Sequence, residues 1–179
     1  MLTKKANNRS MYNQNISGNT SEEVKMGLAS VIGVHIRGYN DNIGGRIKII
    51  SADVQEKAEE PQKLEGKVVC ELTVEKDMVN NDGSIHGACS AYLVDICSTL
   101  PIIALGMTAE KRARPGVSQV MELVYHSPAV VGDQLRIVAT TISLGSRAMS
   151  SRCEIWNKTH HRLVSSGIHV KMDPSGSKL

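Results

Sequence analysis

Asp95 is the only charged residue between Gly83 and Ala109, in the segment GSIHGACSAYLVDICSTLPIIALGMTA. An ionised carboxylate in so apolar a run is costly unless it is paired, hydrogen-bonded or protonated. Chains tend to keep such groups where they do chemistry. Nine residues earlier, at the expected start of the same helix, stands His86-Gly87. A glycine at a helix N-terminus presents bare backbone N–H groups suited to a developing negative charge. One helix would then carry both an oxyanion site and a carboxylate placed to act on a proton.

The elements that must position these groups are readable from patterning. Residues 1–20 are polar and are expected to form a disordered tail. Ser21-Glu22-Glu23 resembles a helix start, and Val24, Leu28, Val31, Ile32 and His35 follow at helical spacing, so an N-terminal helix is expected within 21–41, broken by Gly38-Tyr39-Asn40-Asp41. Strands are expected at Arg46–Val54 and Lys67–Val74, with a polar turn over 55–66. The cluster Asn80-Asn81-Asp82-Gly83 is a turn and cap signal, and the apolar helix after it should end near Gly106. Four β-rich runs follow: Val117–Tyr125, Gln134–Ser143, Met149–Asn157 and Leu163–Lys171. This order implies one α+β domain over about 42–172, an antiparallel sheet packed around one buried helix, with a short tail at 173–179.

Composition narrows the function classes. The chain has 179 residues, no phenylalanine and one tryptophan, so its core must be aliphatic. A net charge of +3 and so few aromatics argue against a nucleic-acid partner. Cys70, Cys89, Cys97 and Cys153 form no C-x-x-C pair, and reduced thiols fit an intracellular protein, cytoplasmic or mitochondrial. Asp95 and Pro101 inside the apolar run favour a core helix over a membrane span. His160-His161 sits in a hairpin turn without nearby acids or cysteines, and no metal site is expected.

Three motifs occur in order on these elements: Asn80-x-x-Gly83-x-x-His86-Gly87 followed by Asp95; Pro115-Gly116-Val117-Ser118 followed by Tyr125-x-Ser127-Pro128-Ala129; and Asn157-Lys158 leading to Gly167-x-His169-Val170-Lys171. Together they resemble the hot-dog fold acyl-CoA thioesterases. The branch is the one that includes bacterial phenylacetate-pathway thioesterases and the eukaryotic acyl-CoA thioesterase 13 type. The resemblance implies hydrolysis of an acyl-CoA, with a tilt toward medium- to long-chain fatty acyl groups. It implies no cofactor, and a homodimer or homotetramer with the site between subunits. In it, the Gly87 N–H polarises the thioester carbonyl and Asn80 helps hold that carbonyl or the water. Asp95 of the partner subunit is general base or nucleophile, Ser118 orients the water or the carboxylate, and His86 positions the loop and substrate.

Removing one oxyanion donor typically costs ~10²–10³ in rate. Along one helix, eight residues separate Gly87 from Asp95 by roughly 12 Å, which pairing across a dimer resolves. Arg112, Arg114, Arg147 and Lys171 are the candidates for the coenzyme A phosphates. One departure is Ala88, where the family usually carries a second glycine; its methyl would crowd the acyl group. That substitution keeps open a non-catalytic acyl-CoA-binding or partner-binding protein. A hydratase or dehydratase acting on enoyl or hydroxyacyl thioesters is a further alternative.

Overall fold

The computed structural model describes residues 15–35 and 38–173. Its central element is α3, Gly87–Ala109, whose apolar residues face in nearly every direction. A helix of that kind must be enclosed. The enclosure is one antiparallel sheet of six strands: β1 (Lys48–Glu56), β2 (Leu64–Thr73), β3 (Val117–Tyr125), β4 (Gln134–Leu144), β5 (Ala148–Asn157) and β6 (Arg162–Met172), in the spatial order β1-β2-β4-β5-β6-β3. All six strands touch α3. This is the expected α+β architecture, a hot-dog fold, with its strand boundaries shifted by a few residues at most.

Alternation explains the sheet. In β4, Leu135, Ile137, Ala139 and Thr141 point to the helix, and in β5 Met149, Ser151, Cys153, Ile155 and Asn157 do so. The four cysteines are buried and unpaired by disulfides. Gly66 on β2 lets the helix approach: a Cβ there would lie 2.5 Å from the Pro101 carbonyl oxygen and 3.3 Å from Leu105 Cβ. The helix continues through Pro101, beyond the expected end at Gly106, because the sheet closes around it. Ser151 of β5 donates to the Ser98 carbonyl at 2.8 Å, next to the carbonyl that the proline deprives of its N–H. Of the described helices, α3 is the one long and apolar enough to cross a membrane, and it is the core helix of this domain.

The N-terminal part differs from expectation. Helix α1, Glu22–Ser30, is capped by Ser21, whose side chain accepts from the Val24 N–H, and it runs on as a π turn over Val31–His35. It packs on the end of α3, where a Cβ on Gly27 would lie 2.9 Å from Met107 Sδ. A short α2, Asp41–Gly44, follows, and its hydrogen bonds reach Ile47, which delays β1 by two residues relative to Arg46. The tail expected over 1–20 lies outside the described residues as far as 14. Residues 15–20 are docked: Ile16 is buried, the Ser17 N–H donates to the Ile50 carbonyl, and Asn19 bonds the Val54 backbone. Apolar Ile16 among polar neighbours was the one sign of this. At the other end, 174–179 lie outside the described residues, and Asp173 is held by Arg114.

The close helix–sheet approach generates a test. Gly66→Ala is expected to lose about 1–3 kcal/mol by overpacking against the Pro101 carbonyl, read as a lower urea midpoint with unchanged slope. An unchanged midpoint would show that the helix does not rest on this glycine.

Candidate active site

The loop before α3 is tied down by its own backbone. The Ile85 N–H donates to Ala129 O at 2.7 Å and the His86 N–H to Met78 O at 2.8 Å. Asn80 Oδ1 accepts from the backbone N–H groups of Asp82 and Ser84, both at 3.1 Å, which closes the turn. Its amide nitrogen has no partner among the described residues. His86 is the N-cap, and its Nδ1 accepts from the Ala88 N–H at 3.0 Å. The Cys89 and Ser90 N–H groups both donate to His86 O. That leaves the Gly87 N–H as the first-turn donor without an acceptor among the described residues. Tyr125 stands beside it, its hydroxyl donating to Gly87 O at 3.2 Å.

Asp95 is not buried as the apolar run suggested: its side chain is 48% exposed. It lies with Ala88 and Ala91 on the stripe that the sheet leaves open along the first half of α3. The stripe opens because β3 is the sheet edge there. Ser118, at the start of β3, donates to Asp95 Oδ1 at 3.2 Å. A bulge between Ser118 and Val120 re-aims the strand at this point. Gly116, with φ +58°, precedes it, and a Cβ there would lie 2.7 Å from Met149 Cε.

Behind Ser118 is a residue to which the sequence reading gave no role. His169 of β6 is fully buried, with Nε2 2.9 Å from Ser118 Oγ, Nδ1 2.7 Å from Ser98 Oγ, and Nε2 3.6 Å from Asp95 Oδ1. Hydrogen-bond accounting gives this set a direction. A carboxylate only accepts, so Ser118 donates to Asp95 and must accept from His169 Nε2–H. Nδ1 then accepts from the Ser98 hydroxyl. The Ser98 hydroxyl also lies 3.3 Å from the Asp95 carbonyl, but Thr99 Oγ1 donates to that carbonyl at 2.8 Å, and the ring nitrogen at 2.7 Å is the shorter contact for Ser98. Burial first, and the nearby Lys171 ammonium second, push His169 down to about 4, against an opposing pull from Asp95. The ring is therefore uncharged at neutral pH.

The phosphate candidates separate into two places. Lys171 is buried in this same cluster, its Nζ 3.5 Å from Ser118 Oγ, so its ammonium is not on the surface where phosphates would meet it. Arg114 is also buried, bonded to Glu110, Asp173 and the carbonyls of Gly145 and Ser146, and its donors are taken up inside the protein. The basic run Lys111-Arg112-Ala113-Arg114 thus hides one internal clasp. Arg112 is exposed and 3.5 Å from Asp173, and Arg147 is exposed in the β4–β5 turn; both lie near the C-terminal end of α3. His160 pairs with Asp133 at 3.2 Å in an exposed turn.

A long helix wrapped by an antiparallel sheet, with a free N-terminal amide and a carboxylate on its open stripe, defines a hot-dog domain with a site at its edge. The thioesterase superfamily model matches residues 82–164. Human acyl-coenzyme A thioesterase 13 is 31% identical over 131 residues, 73% of this chain and 82% of that protein. The crystal structure of zebrafish thioesterase superfamily member 2 superposes with a TM-score of 0.66 at 28% identity, covering 80% of this chain and 93% of the other. The mouse thioesterase superfamily member 2 structure gives 0.64 at 29%, covering 82% and 94%. The chain belongs to the thioesterase superfamily.

The low affinity of His169 for protons makes it acid-sensitive. Unfolded, the ring binds a proton near pH 6.5; folded, only near about 4. Its stabilising contribution is complete above about 6.5 and falls as the pH drops toward 4, by on the order of 3 kcal/mol in total. In His169→Gln, the stability measured by urea unfolding between pH 7 and 4 should decline less steeply than in the wild type. Parallel declines would refute an uncharged buried ring.

Proposed function

We propose that the protein is an acyl-CoA thioesterase that hydrolyses a fatty acyl-CoA, of medium to long chain, to the free acid and coenzyme A. The observation that carries this reading is the pairing of a free Gly87 N–H at a helix N-terminus with the Asp95 carboxylate on the same open stripe. The Gly87 N–H, together with the Asn80 amide of the preceding loop, polarises the thioester carbonyl and stabilises the oxyanion. Asp95 takes the proton of the attacking water through Oδ2, which has no partner among the described residues, while Ser118 holds Oδ1. His86 acts by fixing the helix start. Collapse of the tetrahedral species expels the thiolate of coenzyme A.

Two chains build each site. On one chain the donor and the carboxylate stand roughly 12 Å apart, too far for one carbonyl. The exposed apolar residues Val117, Val120, Met121, Val124 and Tyr125 lie along the edge strand β3, which pairs with β6 on one side only. Such an edge invites a second copy. An isologous pair brings the Asp95 of each subunit toward the Gly87 of the other. A concave space of about 810 Å³ between the N-terminal segment and β1–β2 is lined by Ile32, Arg46, Ile49 and Glu71 and includes none of these groups.

Asp95→Asn is expected to lower kcat by about 10²–10⁴ on a series of acyl-CoAs, followed by free thiol release. Gly87→Pro keeps a residue that helix starts tolerate but deletes the N–H, and should lower kcat by ~10²–10³; Gly87→Ala, which keeps the N–H, should stay active. Mixing the two inactive variants should restore about a quarter of wild-type activity, since mixed dimers hold one intact site. Undiminished turnover by Asp95→Asn would sink the mechanism. No thiol release despite acyl-CoA binding would make the protein a carrier, with Ala88→Gly the first reversion to make. Loss of enoyl absorbance without free thiol would make it a hydratase.

A further inference from the structure

Lys171 is 5% exposed and has no carboxylate within 4.0 Å of its ammonium among the described residues. A buried ammonium without an ion pair is expensive. The strand register places it opposite Ser118 across the β3–β6 pair, two residues from His169 and on the same face of β6. The groups that face it are Asp95 from α3, Ser118 from β3, Met149 from β5 and His169 along its own strand. Of these only Asp95 and His169 titrate, and Asp95 is the one acid.

His169 Nε2 lies 3.6 Å from Asp95 Oδ1. A charged imidazolium there would form an ion pair with the carboxylate and take away the basicity that water activation needs. A fixed cation farther from the carboxylate opposes that second charge by simple repulsion. We propose that Lys171 is a positioning residue of the thioesterase site: its buried ammonium, set behind Ser118, adds to burial in opposing a second positive charge on His169 and leaves Asp95 free to accept a proton from water. This rests on the reading of Asp95 as the general base. Burial, as its largest influence, lowers the proton affinity of Lys171, and Asp95 partly restores it. The Lys171 charge in turn lowers that of His169. Three groups thus share one charge arrangement, in which Asp95 is the exposed member and His169 and Lys171 are buried behind it.

The test uses the full chain in its native assembly. Lys171→Met keeps the length and removes the charge; Lys171→Gln is carried in parallel in case one variant does not fold; Lys171→Arg restores the charge. The His169 ring is followed by heteronuclear NMR from pH 3.5 to 8, and kcat/KM is profiled over the same range. In the neutral variants the imidazole midpoint should rise by about one unit or more. The acid limb of kcat/KM should move up with it from its place near about 4, giving about fivefold lower activity at pH 4, with near wild-type activity from pH 6 to 8. Lys171→Arg should reverse both changes. An imidazole midpoint that stays put in both neutral variants overturns the proposal, as does an equal activity loss at every pH. Full turnover by Asp95→Asn would instead overturn the general-base reading, while the imidazole midpoint still decides the part assigned to Lys171.

Discussion

A helix wrapped by a sheet on most of its surface can carry polar atoms only where the sheet satisfies them or where the sheet stops. The rest of this structure follows from that constraint. Ser98 lies on the covered side and is satisfied twice, by the His169 ring and by the Ser151 hydroxyl on its carbonyl. Asp95 lies three residues earlier, where the sheet ends at β3, and its carboxylate keeps one oxygen for Ser118. The same helix therefore has a dry side, which supplies the core, and an open stripe, which supplies the chemistry. Its first turn is freed for use because His86 and the loop behind it have answered the other orphan N–H groups.

Much of this architecture was legible in the amino-acid order. β-rich runs bounded by turn signals located all six strands, five of which have buried residues on the aliphatic core while the edge strand β3 is exposed along nearly all its length. The Asn80-to-Asp95 motif was legible because its parts are local, lying in one loop and one helix. The cluster behind Ser118 was less so. His169 and Lys171 sit in SSGIHVKM, where apolar Ile168 points outward and the two polar residues point in. An ordinary strand with one solvent face would read the other way. Only the register with β3, about fifty residues upstream, turns that pattern into a site. The common phase of His169 and Lys171 was the available signal, and it lacked a partner.

Charge misled in two places for one physical reason: net charge in a segment does not say which charges are internally paired. Arg114 stands among exposed Lys111 and Arg112 in sequence, yet its guanidinium joins the end of α3, the β4–β5 turn and the end of β6. Arginine suits such a role, with five donors spread in a plane. Asp95 was read as buried because its neighbours in sequence are apolar, whereas exposure depends on where the sheet runs out. In both cases the missing information was topology rather than composition.

The strand order also sets a timetable during synthesis. Strand β3 has its place at the end of the sheet beside β6, but it leaves the ribosome before β4, β5 and β6 exist. At translation rates of 5–20 residues per second, the 47 residues from Tyr125 to Met172 take about 2–9 seconds. For that interval an apolar strand emerges with neither its intramolecular neighbour nor a second subunit to pair with. The groups that meet at Ser118 are thus brought together among the last events of folding, and a nascent chain is most exposed to holding chaperones while it lacks them.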